Sequence, residues 1–136
     1  MPVNYILFTG ILNFKTMNLN NYSKVFHRAA KDNGFWDKEP NFAEKLMLVV
    51  SELSECLEAD RKNHHANLQV YNELSPQERT AANFEIMVKS TVEDEIADAF
   101  IRLFDICGYY GIDIEAHIKA KAEYNATRPY KHGKAY

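Results

Sequence analysis

The chain has few of the residues that form disulfide frameworks or thiolate metal centres. Its 136 residues include only two cysteines, Cys56 and Cys107, and they stand far apart with no CxxC spacing. This pattern gives no indication of a zinc site or a redox pair. Each cysteine is interpreted as a small buried apolar residue, which suits a reducing cytoplasm.

Long apolar runs and a strong excess of one charge are also lacking. The most apolar early run, residues 5–14, is broken by Gly10 and is shorter than the roughly twenty residues that span a bilayer. It also lacks a basic leading region and a small-residue cleavage site, so it does not resemble a secretion signal. The net charge of −3 gives no general attraction to nucleic acid or to an anionic membrane. We therefore expect a cytoplasmic protein with neither as a partner.

Residues 1–16 differ in character from the rest of the chain. Met17, followed by Asn18, Leu19 and Asn20, looks like a natural start. We therefore interpret residues 1–16 as an N-terminal extension, either a misassigned start of the gene or a disordered or weakly docked tail. Residues 17–136 are expected to form one domain, because a chain of this length with 46% hydrophobic residues can bury a core.

Capping residues and apolar periodicity predict helices throughout that domain. No segment after residue 16 alternates like a strand, so we predict an all-α bundle of four main helices with a short inserted helix. The predicted boundaries, taken from N-cap, proline and glycine signals, are Asn20 or Asn21 to Asn33-Gly34, Asn41 to about Lys62, a loop over 63–74, a short helix from Ser75-Pro76 to about Lys89, Ser90-Thr91 to Gly108 or Gly111, and Asp113 to Pro129.

Two of the main helices each carry a pair of carboxylates three residues apart. Glu52 with Glu55, and Glu95 with Asp98, lie at the margin of the apolar stripe of their helix. Residues three apart share a helix face, so side-by-side packing along the stripes would bring four carboxylates together. Such a cluster repels itself unless a hard cation neutralises it, and Mg²⁺ is the usual ion, with Mn²⁺ as a substitute.

Two alternatives compete with this interpretation: a solvated acidic helix face and a different kind of metal site. A single ExxE pair is far more often a solvated helix face than a set of metal ligands. Two pairs in equivalent positions make coincidence the weaker explanation. A ferritin-like di-iron bundle is disfavoured, because it requires Glu-x-x-His and none of the five histidines stands three residues after a Glu.

The C-terminal segment supplies charges of the opposite sign. Lys121, Asn125 and Arg128 recur at steps of four and three and so share a helix face, and Lys134 follows shortly after. Such a cluster can bind phosphate oxygens. In isolation it would more simply complement the helix dipole, but together with four acids it indicates a polyphosphate substrate bridged by Mg²⁺.

The segments SELSE, EDEIAD and GIDIEAHIKAKAEYNATRPYKHGKAY together resemble the MazG-like all-α nucleoside triphosphate pyrophosphohydrolases, over about Tyr22–Tyr136. The resemblance implies that Glu52, Glu55, Glu95 and Asp98 bind Mg²⁺. It further implies cleavage of a (deoxy)nucleoside triphosphate to the monophosphate and pyrophosphate, in a homodimer or homotetramer. The gap between the two acidic motifs is longer than is usual in the family, because residues 63–90 look inserted.

The resemblance and phosphoryl-transfer chemistry suggest roles for the remaining candidates. Glu55, with Glu52 as the other candidate, would accept a proton from the attacking water. The substrate phosphates would be held by Lys121, Asn125, Arg128 and Lys134. The resemblance also implies a role in nucleotide-pool house-cleaning. The alternatives are a phosphoribosyl-ATP pyrophosphohydrolase-like enzyme and a non-catalytic helical interaction module.

Overall fold

The computed structural model describes residues 17–133, and that part of the chain contains helices and no strand. The predicted all-α class is therefore confirmed. The interpretation of residues 1–16 and the candidate Lys134 lie outside the described residues. The helices are α1 (Leu19–Asp32), α2 (Phe42–Arg61), α3 (Leu68–Glu73), α4 (Ala81–Met87), α5 (Val92–Tyr110), α6 (Ile114–Ala126) and a 3₁₀ helix (Tyr130–Gly133).

Side-chain caps start the four long helices. Asn41, Thr91 and Asp113 accept hydrogen bonds from first-turn backbone N–H groups of α2, α5 and α6, as the sequence predicts. α1 begins slightly earlier than expected, because Asn18 rather than Asn20 or Asn21 is its cap. Gly111 ends α5 in the left-handed region at a φ of 65°, which a glycine adopts without strain.

The inserted segment contains two short helices, so the prediction of one is wrong. Residues 68–73 form α3 inside the predicted loop. The Ser75-Pro76 signal makes a turn instead, in which the Ser75 N–H donates to Glu78 Oε2 at 2.9 Å. α3 and α4 pack on each other, with the Tyr71 and Phe84 rings 5.7 Å apart. The packing of α3 against α4, rather than local signals alone, therefore determines which residues of the inserted segment are helical.

α5 lies at the centre of the fold and packs against both α1 and α2. The approach of α1 depends on Gly108, where an added Cβ would lie 2.5 Å from the His27 Cβ and closer still to the Ser23 carbonyl oxygen. Nearby, the Tyr22 and Phe104 rings stack at 5.6 Å. A small residue at the crossing point therefore sets the α1–α5 distance.

α2 and α5 meet along only part of the apolar stripes that the sequence predicts. The buried contact consists of Val49 on α2 with Ala99 and Ile106 on α5, whereas Leu53 and Ile96 in the stripes are exposed. The small side chain of Ala99 allows close approach at this point. Most of the α2 stripe and part of the α5 stripe are consequently left on the surface.

α6 is attached mainly to the start of α1 rather than to a shared core. Asn20 Nδ2 donates to Asp113 Oδ1 at 2.7 Å, and the Leu19 N–H donates to Glu115 Oε2 at 3.0 Å. The four long helices of the prediction are thus present, with α1, α5 and α2 forming one layer. None of the helices in residues 17–133 is both long and apolar enough to cross a membrane.

Candidate metal and substrate site

Three of the four predicted acids come together where α2 meets α5. Glu52, Glu55 and Glu95 each place one carboxylate oxygen within 4.8 Å of the others. Glu52 and Glu95 are buried, whereas Glu55 is exposed to solvent. Since a buried carboxylate is destabilising unless its charge is compensated, this arrangement calls for positive charge at the same point.

The raised pKa of Glu95 shows the effect of this uncompensated negative charge. Burial is the main cause that raises its pKa to about 7, and the negative charges of Glu55, Asp94 and Asp98 add to the effect, together with a hydrogen bond to Glu52. Desolvation and like charges both favour the protonated acid. A divalent cation at this point would reverse the balance and favour the carboxylate.

Asp98, the fourth predicted acid, lies beside this group of three rather than inside it. Burial raises its pKa, and the charges of Asp94 and Glu52 raise it further, while Arg102 opposes them. The Arg102 guanidinium donates through Nε to Glu52 Oε1, and this ion pair compensates one of the negative charges. Arg102 thus pairs with an acid of α2 rather than with one on its own helix.

A cavity of about 380 Å³ adjoins the carboxylates, because Glu52 belongs to both the cluster and the cavity wall. All three layer helices and the segment after α1 line it. Its volume is within the usual range for small-ligand sites. Its lining residues are Phe26, Ala29, Ala30, Asn33, Phe35, Lys45, Leu48, Glu52, Asp98, Ile101, Arg102, Asp105 and Ile106.

The sequence interpretation missed several of these residues, and a spacing signal could have found them. Lys45 precedes Glu52 by seven residues, and Asp105 follows Asp98 by seven. Residues seven apart lie two turns apart on one helix face. Extending the acidic pairs along their own faces would therefore have added a cation and a further acid to the site.

A network of rings and hydrogen bonds fixes the region around Asp105. Its Oδ1 lies 2.9 Å from both Trp36 Nε1, which donates to it, and His27 Nδ1. The Trp36 ring stacks on Tyr109 at 4.1 Å, and the Lys45 ammonium lies 4.0 Å from the Trp36 ring centroid. These contacts hold Lys45 and Asp105 in defined positions next to the cavity.

Lys121, Asn125 and Arg128, the predicted phosphate-binding residues that the structure describes, are absent from the lining of this cavity. Lys121 and Asn125 line a separate, shallow groove along α6. Arg128 lies with its guanidinium carbon 5.9 Å from the centroid of the Tyr124 ring. None of the three lines the cavity beside the carboxylates.

The donor set of the cluster fits a hard divalent cation. Its three members offer only carboxylate oxygens, which suit Mg²⁺ or Mn²⁺ better than softer metals. Arg102 and Lys45 add positive charge on the adjoining cavity wall. Comparison with protein-family models, curated proteins and solved structures gave no match for this chain.

Proposed function

We propose that this protein is a Mg²⁺-dependent hydrolase that converts (deoxy)nucleoside triphosphates to the nucleoside monophosphate and pyrophosphate. The observation that supports it best is the junction of a three-carboxylate cluster with a cavity that has room for a nucleoside. A nucleoside triphosphate combines the two ligand types this junction suits, a metal-bound polyphosphate and a small, partly apolar ring system. The resemblance of the acidic motifs to the MazG-like enzymes points to the same reaction.

Glu52, Glu55 and Glu95 would hold the cation, with Asp98 beside them. When bound, Mg²⁺ would neutralise phosphate charge and favour ionisation of water at the site. Glu55 is the solvent-exposed member of the cluster, whereas Glu52 is paired with Arg102. We therefore assign Glu55 the role of accepting the proton from the attacking water, with Glu52 as a ligand held in place by Arg102.

Charge on the cavity wall orients the substrate. Lys45 and Arg102 are cations of the lining, while Phe35 and Phe26 supply apolar surface for a ring system. The Lys45 ammonium is held by the Phe35 carbonyl oxygen at 3.0 Å. In this proposal the triphosphate lies toward Glu52 and Arg102 and the nucleoside toward the aromatic residues. This orientation leaves the P–O bond at the α-phosphorus beside the carboxylates.

The 136-residue chain should be incubated with Mg²⁺ and a panel of canonical and modified nucleoside triphosphates, and the products separated by chromatography. Monophosphate plus pyrophosphate, lost when EDTA is added, would support the proposal. Diphosphate plus orthophosphate would contradict it, because that result means attack at the γ-phosphorus. Phosphoribosyl-ATP belongs in the same panel, since its exclusive turnover would select the alternative enzyme class.

Variants connect any activity to the cluster. Glu55→Gln keeps the shape of the side chain but removes its basicity, so we expect a loss of at least about 100-fold in kcat. The matched control is Glu123→Gln, which makes the same change at an exposed position on α6 and should leave activity unchanged. Equal activity of Glu55→Gln and the unmodified protein would refute the assignment of the base.

A further inference from the structure

The cavity beside the carboxylates has two ends that differ in chemistry. Glu52 and Asp98 line one end, next to the position proposed for the cation. Lys45 stands two turns before Glu52 on α2 and lines the other end, together with Asp105, which stands two turns after Asp98 on α5. The helical rise of about 1.5 Å per residue separates the two ends by about 10 Å. Because the base is the part of a nucleotide farthest from its phosphates, a triphosphate at the first end places its base near Asp105.

Two ring N–H groups hold the Asp105 carboxylate in one orientation. Trp36 Nε1 donates to Oδ1 at 2.9 Å and to Oδ2 at 3.1 Å. His27 Nδ1 lies 2.9 Å from Oδ1 and is the donor of this pair, because an ionised carboxylate only accepts. The Trp36 ring is itself stacked on Tyr109. Asp105 is therefore positioned as firmly as a group that selects among ligands needs to be.

Asp105 can still accept a hydrogen bond from a ligand. A carboxylate offers about four acceptor positions in total. Its Oδ1 contacts both Trp36 and His27, whereas Oδ2 accepts only the longer contact from Trp36. The side chain is 14% exposed and belongs to the cavity lining. A molecule in the cavity that presents an N–H group can therefore complete the hydrogen bonding of this carboxylate.

Asn33 gives the same end of the cavity a second acceptor. Its Nδ2 donates to the Ala29 carbonyl oxygen at 2.8 Å, which fixes the amide and leaves Oδ1 to accept. Asn33 lines the cavity beside the apolar side chains of Phe26 and Ala30. The surroundings thus suit a flat, partly apolar ring whose edge donates hydrogen bonds.

We infer that Asp105 makes the site selective for bases with an exocyclic amine, cytosine and adenine, over their keto counterparts, uracil and hypoxanthine. This inference rests on the proposed function, since it names the substrate class of that same site. The amine offers two N–H groups, and Asp and Glu side chains accept from the N4 amine of cytosine in nucleic-acid recognition. The keto base instead turns a carbonyl oxygen toward the carboxylate, which leaves two acceptors facing each other without a proton. Its ring N–H offers one donor with that carbonyl beside it.

Two matched substrate pairs test the inference: dCTP with dUTP, and dATP with dITP. We expect kcat/KM with Mg²⁺ to favour the amine member of a pair that is hydrolysed by at least about 10-fold. Asp105→Asn keeps an oxygen for Trp36 but adds an N–H donor, so the preference should fall by about 10-fold or more. Asp60→Asn makes the same change at an exposed position on α2 outside the cavity lining and should leave the ratio unchanged. A ratio of two substrates is not affected by partial loss of folded protein.

Trp36 provides a second readout that needs neither metal nor turnover. It is the single tryptophan of the chain and donates to Asp105, so its fluorescence should respond to a ligand at that carboxylate. The probes are deoxycytidine and deoxyuridine, added with EDTA and excited at the red edge of tryptophan absorption, where the nucleosides do not absorb. We expect deoxycytidine to bind more tightly, and Asp105→Asn to reduce the difference.

The two readouts separate failure of this inference from failure of the proposed function. Tighter binding of deoxycytidine by a chain that hydrolyses no triphosphate would support the inference and contradict the proposed function. Equal kcat/KM within each pair, or an amine preference that Asp105→Asn leaves unchanged, would overturn the inference alone. A preference between CTP and dCTP with no preference between bases would overturn it too, because Asp105 would then bind the sugar. Absence of both turnover and nucleoside binding would overturn both.

Discussion

Replacing Glu95 with glutamine should stabilise the protein when no metal is present. Glu95 is buried on the first turn of α5, and its pKa in the folded chain is raised to about 7 from 4.5. Glutamine has nearly the same shape and carries no charge. Its amide can also donate a hydrogen bond to Glu52, as the protonated acid does.

The sign follows from proton linkage. A folded-state pKa above the unfolded value means that the folded chain binds the proton more tightly, so this group lowers stability as pH rises from 4.5 to 7. At pH 8 the penalty is fully present and is on the order of 3 kcal/mol, while at pH 5 it is small. Glu95→Gln should therefore be more stable than the unmodified protein at pH 8 and nearly equal to it at pH 5.

Urea unfolding at a fixed protein concentration, with EDTA at pH 5 and pH 8, measures this difference. When Mg²⁺ replaces EDTA, the urea midpoint of the unmodified protein should rise, because a ligand stabilises the folded state that binds it. The midpoint of Glu95→Gln should change little, because this variant lacks one of the three carboxylates that would hold the ion. Glu123→Gln on α6 is the control and should change neither result. If Glu95→Gln were no more stable at pH 8 than the unmodified chain, the reasoning about the buried charge would be refuted.

Three further predictions address separate contacts. Asp98→Asn should retain the fold by circular dichroism but lose roughly 10- to 100-fold in activity, because the carboxylate neighbours the ligands. Gly108→Ala should cost about 1–3 kcal/mol in urea unfolding, since its Cβ would overlap His27 and Ser23 on α1. Glu93→Gln should lower the thermal midpoint at neutral pH, because hydrogen bonds led by the Ala66 N–H stabilise the Glu93 carboxylate and hold its pKa at about 2. The difference in midpoint between this variant and the unmodified protein should narrow as the pH falls from 4.5 toward 2.

Local signals in the sequence were sufficient for the long helices. A cap such as Asn41 or Asp113 acts within three residues of itself, and the structure uses both as expected. The inserted segment was harder, because α3 and α4 are short and gain their stability from each other. The Tyr71–Phe84 contact that joins them links residues thirteen positions apart in the sequence, and no local sequence pattern predicts it.

The acids of the site were predictable because helical spacing determines which residues share a face. Glu52, Glu55 and Glu95 converge as expected once α2 and α5 are neighbours. The cavity depends on the way α1 also packs against α5, and Gly108 alone gave no sign of that crossing in the sequence. Lys121 and Asn125 line a groove along α6, and helix periodicity could not place that groove, because it says nothing about the direction in which α6 leaves α5.

A single hydrophobic stripe on a helix can serve two surfaces, and α5 is an example. Ala99 and Ile106 contact α2 at one margin of the stripe, whereas Ile96 and Leu103 remain exposed in its middle. If the middle of the α5 stripe had packed against α2, the core would have been larger and the acids would have stood at its edge. Because the contact is instead at the margin that carries Glu95, two carboxylates are buried at the α2–α5 junction itself. The position of the α2–α5 contact therefore has two consequences. It buries carboxylates that a cation would neutralise, and it leaves Ile96 and Leu103 exposed.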